Sequence, residues 1–416
     1  MPIKCALSAF AVMASVPLSM AAQSLPPVRP LGPTVHVSAS SVGRVTAARQ
    51  LRNGRVLLND VLSRRLLLFD STLASYSVVA DSGRAAVPYG TQPGGLIGFR
   101  GDSSLFVDAS SLAMLVIDPD GKVVRTTAVP RAQDAGWLVV VNTGLAGFDG
   151  QGRLLYRGPA ARPLARAPGE KPKLGLFTLG DSAPILRLDL ATRKLDTVAT
   201  IKIEGMSLIR SERPDGGTVV FPIENPMPLT DDWAVLPNGL LAVIRGRDYH
   251  VEWVGADGKS TTSPKLPFAW HRLDDSMKRA IVDSAKAAEI ALERERRAAM
   301  SGSSSSGSPA TRSGGLQSTG QIGDDSLLFV NPMDLPDYAP PFKAGTARAD
   351  LAGNVWLRTS YAMGTMPVYD VINSAGVLVD RVMIPEGRVI AGFGDGVVYL
   401  GVRDGPGARL EVARIR

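Results

Sequence analysis

The hydrophobic positions of the chain fall into short runs that are separated by tight turns. The stretch from Val45 to Ala80 shows the pattern in full: VTAARQ, a turn at Asn53-Gly54, RVLLND, a polar break, RLLLFD, a second turn and YSVVA. The second run is dense in Val and Leu and contains no proline, which is typical of a buried β-strand. Asn-Gly connections favour positive φ and match the twist of antiparallel pairs. The stretch is therefore predicted to form four strands joined by hairpins.

This unit recurs along the chain, and six copies align on the turn that precedes the second strand. The turns fall at Asn53-Gly54, Gly101-Asp102, Gly150 to Gly152, Asn238-Gly239, Gly353-Asn354 and Asp395-Gly396. A third hydrophobic run follows in each copy. A period of roughly 40 to 50 residues with four strands per unit indicates the blades of a β-propeller.

The order strand, Asp-Gly, strand, polar break, strand resembles the six-bladed β-propellers related to NHL repeats, most clearly from Gly94 to Lys122. The resemblance covers about Thr34 to Arg416 apart from insertions. It implies an all-β, six-bladed propeller, with secreted bacterial propellers of unassigned function as the nearest group, and it implies architecture rather than activity.

The last copy has first, second and third strands but stops before a fourth. Because an unpaired edge is unfavourable in a closed ring, Thr34 to Ser38 (TVHVS) is predicted to supply the fourth strand of the last blade.

Residues 1–21 have the pattern of a signal peptide. Lys4 forms a basic start, Ala6 to Val16 is apolar but short, and Ser19 to Ala21 offers a small-residue cleavage site. The protein is therefore predicted to be periplasmic or secreted. Cys5 is the one cysteine and lies in this segment, so the mature chain would have no disulfide or catalytic thiol. No later apolar run is long enough for a membrane anchor.

The remaining organisation consists of a lead-in and insertions within the propeller at 34–416. Residues 22–33 are rich in proline and are predicted to be extended and mobile. Two insertions lie at 158–182 and 205–231. The longest, 267–345, is predicted between the fourth and fifth blades, with a helix at 274–300 and a flexible Ser/Gly-rich linker at 301–322. The helix either binds a partner or lies along the propeller.

Charge and chemical motifs narrow the function only weakly. The chain carries 46 basic and 39 acidic residues, a net charge of +7. That surplus is modest and the sequence has no long basic run, so no nucleic-acid partner is expected. The protein is expected to be a monomer. His36, His250 and His271 lack the spacing of a zinc site, and no nucleophile motif is present.

Two hypotheses follow. The first is a non-catalytic binding or scaffold module for a protein, peptide or glycan outside the cytoplasm, without a cofactor. The alternative is a hydrolase or lyase with a metal-assisted site at the mouth of the central channel, which would use a divalent ion there.

The two faces of such a ring differ in loop length. In a four-stranded meander, the turns from first to second and from third to fourth strand lie on one side, here the hairpin face. The other connections lie on the opposite side, the long-loop face, where all three insertions fall. Binding usually resides on long loops of a rigid scaffold. The predicted ligand-binding residues are therefore Asn59, Asp60, Tyr89, Asp108, Trp137, Arg245, Arg247, Asp248, Tyr249 and Tyr361.

Within this set, the loop from Arg245 to His250 concentrates two guanidinium groups, a carboxylate, a phenol and an imidazole. Arg offers a bidentate fork and Tyr a flat apolar face, so the loop is predicted to clamp an anionic or sugar-like ligand. The alternative is a structural turn with Arg and Asp paired at the surface.

Overall fold

A computed structural model describes residues 24–83, 86–139, 144–160, 175–212, 218–301 and 328–416. The predicted signal peptide and the predicted linker from residue 302 onward lie outside these ranges. The described part begins with two short strands, β1 (Val28–Pro30) and β2 (Thr34–Val37).

Each copy of the repeat forms one sheet of antiparallel strands, four in each of the first five copies and three in the last, and these are called the repeat sheets, numbered in chain order. The first contains β3 (Val45–Gln50), β4 (Val56–Asp60), β5 (Arg65–Phe69) and β6 (Tyr76–Asp81). The second contains β7 (Gly95–Gly98), β8 (Ser104–Asp108), β9 (Ala113–Ile117) and β10 (Val123–Ala128). The third contains β11 (Gly147–Phe148) and β12 (Leu154–Arg157), and after an inserted strand β13 (Gly175–Leu179) it continues with β14 (Ser182–Leu188) and β15 (Leu195–Lys202).

Two further inserted strands, β16 (Met206–Glu212) and β17 (Thr218–Glu224), precede the fourth repeat sheet. That sheet has β18 (Asp232–Val235), β19 (Leu241–Arg245), β20 (His250–Val254) and β21 (Ser260–Thr262). Helix α1 (Asp275–Ser301) and strand β22 (Leu328–Phe329) follow. The fifth sheet has β23 (Arg348–Ala349), β24 (Val355–Met363), β25 (Met366–Ile372) and β26 (Leu378–Met383), and the sixth has β27 (Arg388–Gly394), β28 (Val397–Asp404) and β29 (Gly407–Arg414). Short 3-10 helices lie at Arg100–Asp102, Ala132–Leu138 and Pro332–Asp334.

The apolar core lies between the repeat sheets. Each of six clusters of buried side chains combines residues of two consecutive sheets, and the cluster with Leu58 and Tyr399 joins the first sheet to the sixth. At this last junction a Cβ on Gly392 of β27 would lie 1.9 Å from the carbonyl oxygen of Ala48 in β3. The sheets therefore pack side by side in a ring whose inner edge is formed by the first strand of each copy.

The N-terminal strand closes this ring as the sequence predicts. Strand β2 pairs antiparallel with β29, with Thr34 opposite Ala413 and Val37 opposite Glu411. The sixth repeat sheet thus gains its fourth strand from the other end of the chain.

The lead-in is only partly as predicted. It is extended, but it is not free, because β1 pairs in parallel with β26 and becomes a fifth strand of the fifth repeat sheet. The Arg29 guanidinium donates to both carboxylate oxygens of Asp380, at 2.6 and 3.1 Å. Leu31 packs against the core between the fifth and sixth sheets. The prediction of mobility is therefore wrong for residues 28–31, because a proline-rich segment can still add to a sheet edge in parallel.

The insertions are not independent loops. Strands β13, β16, β17 and β22 come from three different insertions and form one additional sheet. Strand β13 pairs antiparallel with β16, and β17 pairs in parallel with β22. The count of six blades stays a prediction, since this seventh sheet adds four strands outside the repeats.

Helix α1 confirms the predicted helix to within a residue at its start. Asp274 caps it, since its carboxylate accepts a hydrogen bond from the Met277 backbone N–H at 2.9 Å. Lys278 donates to Asp337 at 2.7 Å and ties the helix to the segment that returns to the fifth sheet. Within the described residues, no helix combines the length and apolarity that crossing a membrane would require.

Candidate ligand site in the central channel

The inner strands enclose a cavity of about 780 Å³ at the centre of the ring. Its lining comes from β3, β7, β11, β18, β23 and β27 and from the turns that follow β7, β11, β18 and β23. Those turns connect first to second strands, so the cavity lies toward the hairpin face. Most of the wall is backbone, glycine, alanine and leucine, and the charged side chains within it are few: Arg49, Arg100, Asp149 and Arg348.

Arg49 is the most firmly placed of these groups. It is the penultimate residue of strand β3, and its guanidinium donates to the carbonyl oxygen of Asp102 at 3.0 Å, to the hydroxyl of Ser104 at 2.9 Å and to the Asp102 carboxylate at 3.2 Å. Burial lowers the pKa of Arg49, although an arginine keeps its charge at neutral pH. Its position is thus fixed by the second repeat sheet before any ligand arrives.

Arg100 begins the short 3-10 helix after β7 and is exposed. Its guanidinium reaches only the carbonyl oxygen of Gly152, at 3.5 Å. Gly152 has φ of 75°, and a Cβ there would lie 2.5 Å from the Arg100 guanidinium. Glycine at this turn therefore leaves room for Arg100 to lie across the third repeat sheet at the rim of the cavity. Most N–H groups of its guanidinium have no hydrogen-bond acceptor among the described residues.

Arg348 stands on β23 beside the fully buried Asp232 of β18. Its guanidinium donates to the carbonyl oxygens of Gly345 and Ala347, at 3.0 and 2.8 Å. Asp232 accepts hydrogen bonds from the backbone N–H groups of Trp233, Thr346 and Ala347 at 2.8 to 3.0 Å. Burial raises the pKa of Asp232 and lowers that of Arg348, and their opposite charges partly offset both shifts. The pair ties the fourth sheet to the fifth at the channel wall.

Among the described residues, one carboxylate lines the cavity, and it is already hydrogen-bonded within its own turn. Asp149 accepts from the backbone N–H groups of Gln151 and Arg153, both at 2.9 Å, and from the Arg153 guanidinium at 2.7 Å. Beside it, the rings of Phe99 and Phe148 meet edge to face at 5.1 Å between centroids. The cavity therefore combines guanidinium donors with an apolar and aromatic wall.

Such an arrangement suits a molecule with an anionic group and an apolar body. Guanidinium groups form charge-assisted, often bidentate hydrogen bonds to carboxylate, phosphate or sulfate. The aromatic and aliphatic wall would remove an apolar part of the same molecule from water. No group of three or more His, Cys, Asp or Glu side chains that could hold a metal ion occurs among the residues the structure describes.

The structure distributes the predicted site residues over the ring, and half of them are buried: Asn59, Asp60, Tyr89, Asp108 and Tyr249. The Tyr89 hydroxyl donates to Asn59 at 2.9 Å and accepts from the Gly94 backbone N–H at 2.8 Å. These groups hold neighbouring sheets together. Their role in ligand binding stays a prediction.

Asp60 and Asp108 anchor loops of the long-loop face. Asp60 accepts backbone hydrogen bonds from Gly43 and Arg44, both at 2.9 Å, and these bonds outweigh the effect of burial, so the pKa of Asp60 is lowered. Asp108 accepts from the hydroxyl of Ser111 at 2.5 Å. Both carboxylates face their own loops.

The predicted clamp around Arg245 is largely occupied by its own neighbours. The Arg245 guanidinium donates to Asp231 at 2.8 Å and to Glu252 at 2.6 Å, and Asp248 accepts from His250 at 2.7 Å in one ring tautomer. Tyr249 is fully buried, so it cannot offer a flat face at this surface. Its φ of 48° turns the ring inward. The arrangement corresponds to the alternative of a structural turn, with Arg247 exposed beside it.

Trp137 and Tyr361 each have an arginine guanidinium over one side of the ring. The Arg157 guanidinium lies 5.3 Å from the Trp137 ring centre, and that of Arg381 lies 5.4 Å from the Tyr361 ring centre. Tyr361 remains 46% exposed and is the more accessible of the two. These are cation–π contacts at the long-loop side of their sheets.

Sequence reasoning missed the arginines of the cavity. They stand on or just after the first strands, in AARQ, GFRG and TARAD. The available signal was an arginine that lies on or just after the first strand in three of the copies.

The ring of four-stranded sheets defines the protein as a β-propeller. No family model matches the sequence, and no curated protein matches it. Among the solved structures that are similar to this chain, three align over nearly all of both chains. An aldose sugar dehydrogenase from Streptomyces coelicolor, bound to PQQ, is 12% identical with a TM-score of 0.42, covering 94% of this chain and 100% of its own.

A gluconolactonase from Xanthomonas campestris is 11% identical with a TM-score of 0.39, covering 93% of this chain and 99% of its own. A virginiamycin B lyase from Staphylococcus aureus is 9% identical with a TM-score of 0.39, covering 92% and 99%. At this identity the likeness concerns the fold alone.

Proposed function

We propose that the protein is a propeller of the six-bladed, NHL-like type that binds a small organic anion with an apolar part in its central cavity. The observation that carries the proposal is the convergence of Arg49, Arg100 and Arg348 on one cavity whose lining carboxylate, Asp149, is committed to its own turn. This ligand class replaces the protein, peptide or glycan partner expected from the long-loop face.

The charges of the three arginines are not equally available. Asp102 neutralises much of the Arg49 charge, and Asp232 that of Arg348. Arg100 has no carboxylate partner among the described residues, so it supplies the net positive charge. The hydrogen bonds of Arg49 hold its guanidinium in place, so this group needs no reordering when the ligand binds.

The test is calorimetric titration of the purified mature protein with benzoate and phenyl phosphate, and with benzyl alcohol as the neutral analogue. Arg100→Gln should weaken binding of either anion roughly 10- to 100-fold, since a charge-assisted hydrogen bond contributes about 1.5 to 3 kcal/mol. The matched control is Arg52→Gln, an exposed arginine of the hairpin face that does not line the cavity. Equal losses in both variants, or equal affinity for benzyl alcohol, would contradict a site in the cavity.

Turnover of the bound molecule is the second candidate, in line with the alternative of a hydrolase or lyase. The observation that favours it is that Arg348, which lines the cavity, lies beside Asp232, which is buried and does not line it. Ionisable groups with shifted pKa values next to a cavity are candidates for proton transfer. Incubation with aromatic esters and lactones, with and without added divalent ions, tests it. Turnover that is lost in Asp232→Asn, with anion binding retained, supports catalysis. If the probes bind and none is turned over, catalysis is refuted and only the binding role remains.

Export is part of the proposal. The pattern of residues 1–21 supports a mature protein that begins near Ala22 or Gln23 and acts as a monomer in the periplasm or outside the cell. N-terminal sequencing of the protein recovered from cells tests this, and an intact Met1 on soluble cytoplasmic protein would refute it.

A further inference from the structure

A second cavity, of about 500 Å³, lies between the second and third repeat sheets on the hairpin face. It shares Phe99, Arg100, Gln151 and Gly152 with the central cavity. The two cavities therefore adjoin at the Arg100 guanidinium. The remaining lining of this side cavity consists of Arg125, Arg153, Asp189, Leu190 and Ala191.

Arg125 reaches the side cavity because its strand is irregular. Strand β10 shifts register against β9 between Val123 and Arg125, so one residue, Val124, is left over as a bulge. Bulges redirect the side chains that flank them and are common beside functional sites. Arg125 is exposed, and its side chain makes no hydrogen bond or ion pair to another residue in the part of the chain that the structure describes.

The other charges of the side cavity are satisfied locally. Arg153 pairs with Asp149 at 2.7 Å and also donates to the carbonyl oxygen of Ala256. Asp189 accepts backbone hydrogen bonds from Ala191 and Thr192, at 2.8 and 3.0 Å. The groups left to meet a ligand are thus Arg100 at the junction and Arg125 beyond it.

We propose that the side cavity binds a second anionic group of the same molecule, so that the ligand of this site is an elongated dianion. One group would lie against Arg49 and Arg100 in the central cavity, and the other between Arg100 and Arg125. The apolar body would cross the junction along Phe99. This inference rests on the proposed function, because Arg100 serves both cavities.

The test compares linear dicarboxylates of increasing chain length with monocarboxylates of the same length, by calorimetric titration of the full mature protein at constant ionic strength. The expected result is an optimum length at which the dicarboxylate binds at least tenfold more tightly than its monocarboxylate. Arg125→Gln should remove that advantage and leave monocarboxylate affinity unchanged. Arg100→Gln should weaken both classes.

The matched control is Lys122→Gln, which removes one positive charge from an exposed residue of the same sheet and face that lines neither cavity. It should leave the preference for dicarboxylates intact. The second subsite would be refuted by equal affinity of the two classes at every chain length, or by a preference for dicarboxylates that survives Arg125→Gln. In either case, binding of monocarboxylates would still support the central site. If neither class binds, the proposed function fails, and this inference fails with it.

Discussion

Replacement of Tyr249 by phenylalanine tests whether this residue is structural or contacts a ligand. The Tyr249 hydroxyl donates to the Asp370 carboxylate at 2.6 Å, and both side chains are fully buried. The ring packs against Phe268 and Phe342 at 5.7 and 5.9 Å between centroids. Phenylalanine keeps these ring contacts and removes the hydroxyl alone.

The expected loss of stability depends on the hydrogen-bond partners that Asp370 retains when the Tyr249 hydroxyl is removed. A hydrogen bond to a charged acceptor contributes about 1.5 to 3 kcal/mol, and its loss would leave a buried carboxylate with the Arg381 guanidinium, at 3.2 Å, as its remaining described side-chain partner. We expect a loss of about 2 kcal/mol in the free energy of unfolding, at the lower-middle part of that range because Arg381 still pairs with Asp370.

Urea denaturation of the protein measures this loss as a lower midpoint with an unchanged m value. A double-mutant cycle with Asp370→Asn should give a coupling energy above about 0.5 kcal/mol, because the two groups share one hydrogen bond. The control is Arg247→Ala, a neighbouring exposed residue, which should change stability by less than about 0.5 kcal/mol. An unchanged midpoint in Tyr249→Phe together with weakened ligand binding would refute the structural role and restore the predicted clamp.

Three further predictions concern the ring itself. Deleting residues 24–37 removes the strands that pair with the fifth and sixth sheets. The free energy of unfolding should fall by several kcal/mol, out of the roughly 5 to 15 kcal/mol that stabilise a domain. An unchanged melting temperature would refute closure of the ring by this segment. Burial raises the pKa of Tyr89 to about 12 from 10.0, so its contribution to stability should be complete below pH 10 and lost as the pH rises to 12. Denaturation midpoints across that range should fall less steeply in Tyr89→Phe, and identical slopes would contradict the burial. Gly239 and Gly258 have φ of 82° and 83°, but only at Gly239 would a Cβ meet backbone, 2.1 Å from the Gly150 nitrogen. Alanine at Gly258 should cost about 1 to 2 kcal/mol and alanine at Gly239 clearly more, and equal urea midpoints would show that these turns do not touch.

The repeat sheets could be predicted because their second and third strands are continuous apolar runs between turn residues, as in RVLLND and RLLLFD. The position of β2 followed from counting strands, since the last copy lacked its fourth. Both inferences depend on local pattern and on the requirement that a ring has no open edge.

The additional sheet could not be predicted in this way. Its strands lie in segments as distant as 175–179 and 328–329, and such non-local pairing leaves no period in the sequence. The attachment of β1 was hidden for a related reason, because its proline-rich composition indicates an extended segment without indicating a partner strand.

The candidate site was missed because loop length directed attention to the long-loop face. Arg49 and Arg348 stand on short inner strands among alanines, where neither hydrophobic period nor motif singles them out. Tyr249 was expected at the surface and is buried instead, because the polar residues around it give no sign that this one aromatic side chain points into the core.

The most direct test of the central claim is a crystal structure of the protein soaked with phenyl phosphate. We predict density for the phosphate within hydrogen-bond distance of the Arg49 and Arg100 guanidinium groups, with the ring against Phe99 in the central cavity. Density beside Arg247 on the long-loop face, with none in the central cavity, would contradict the account.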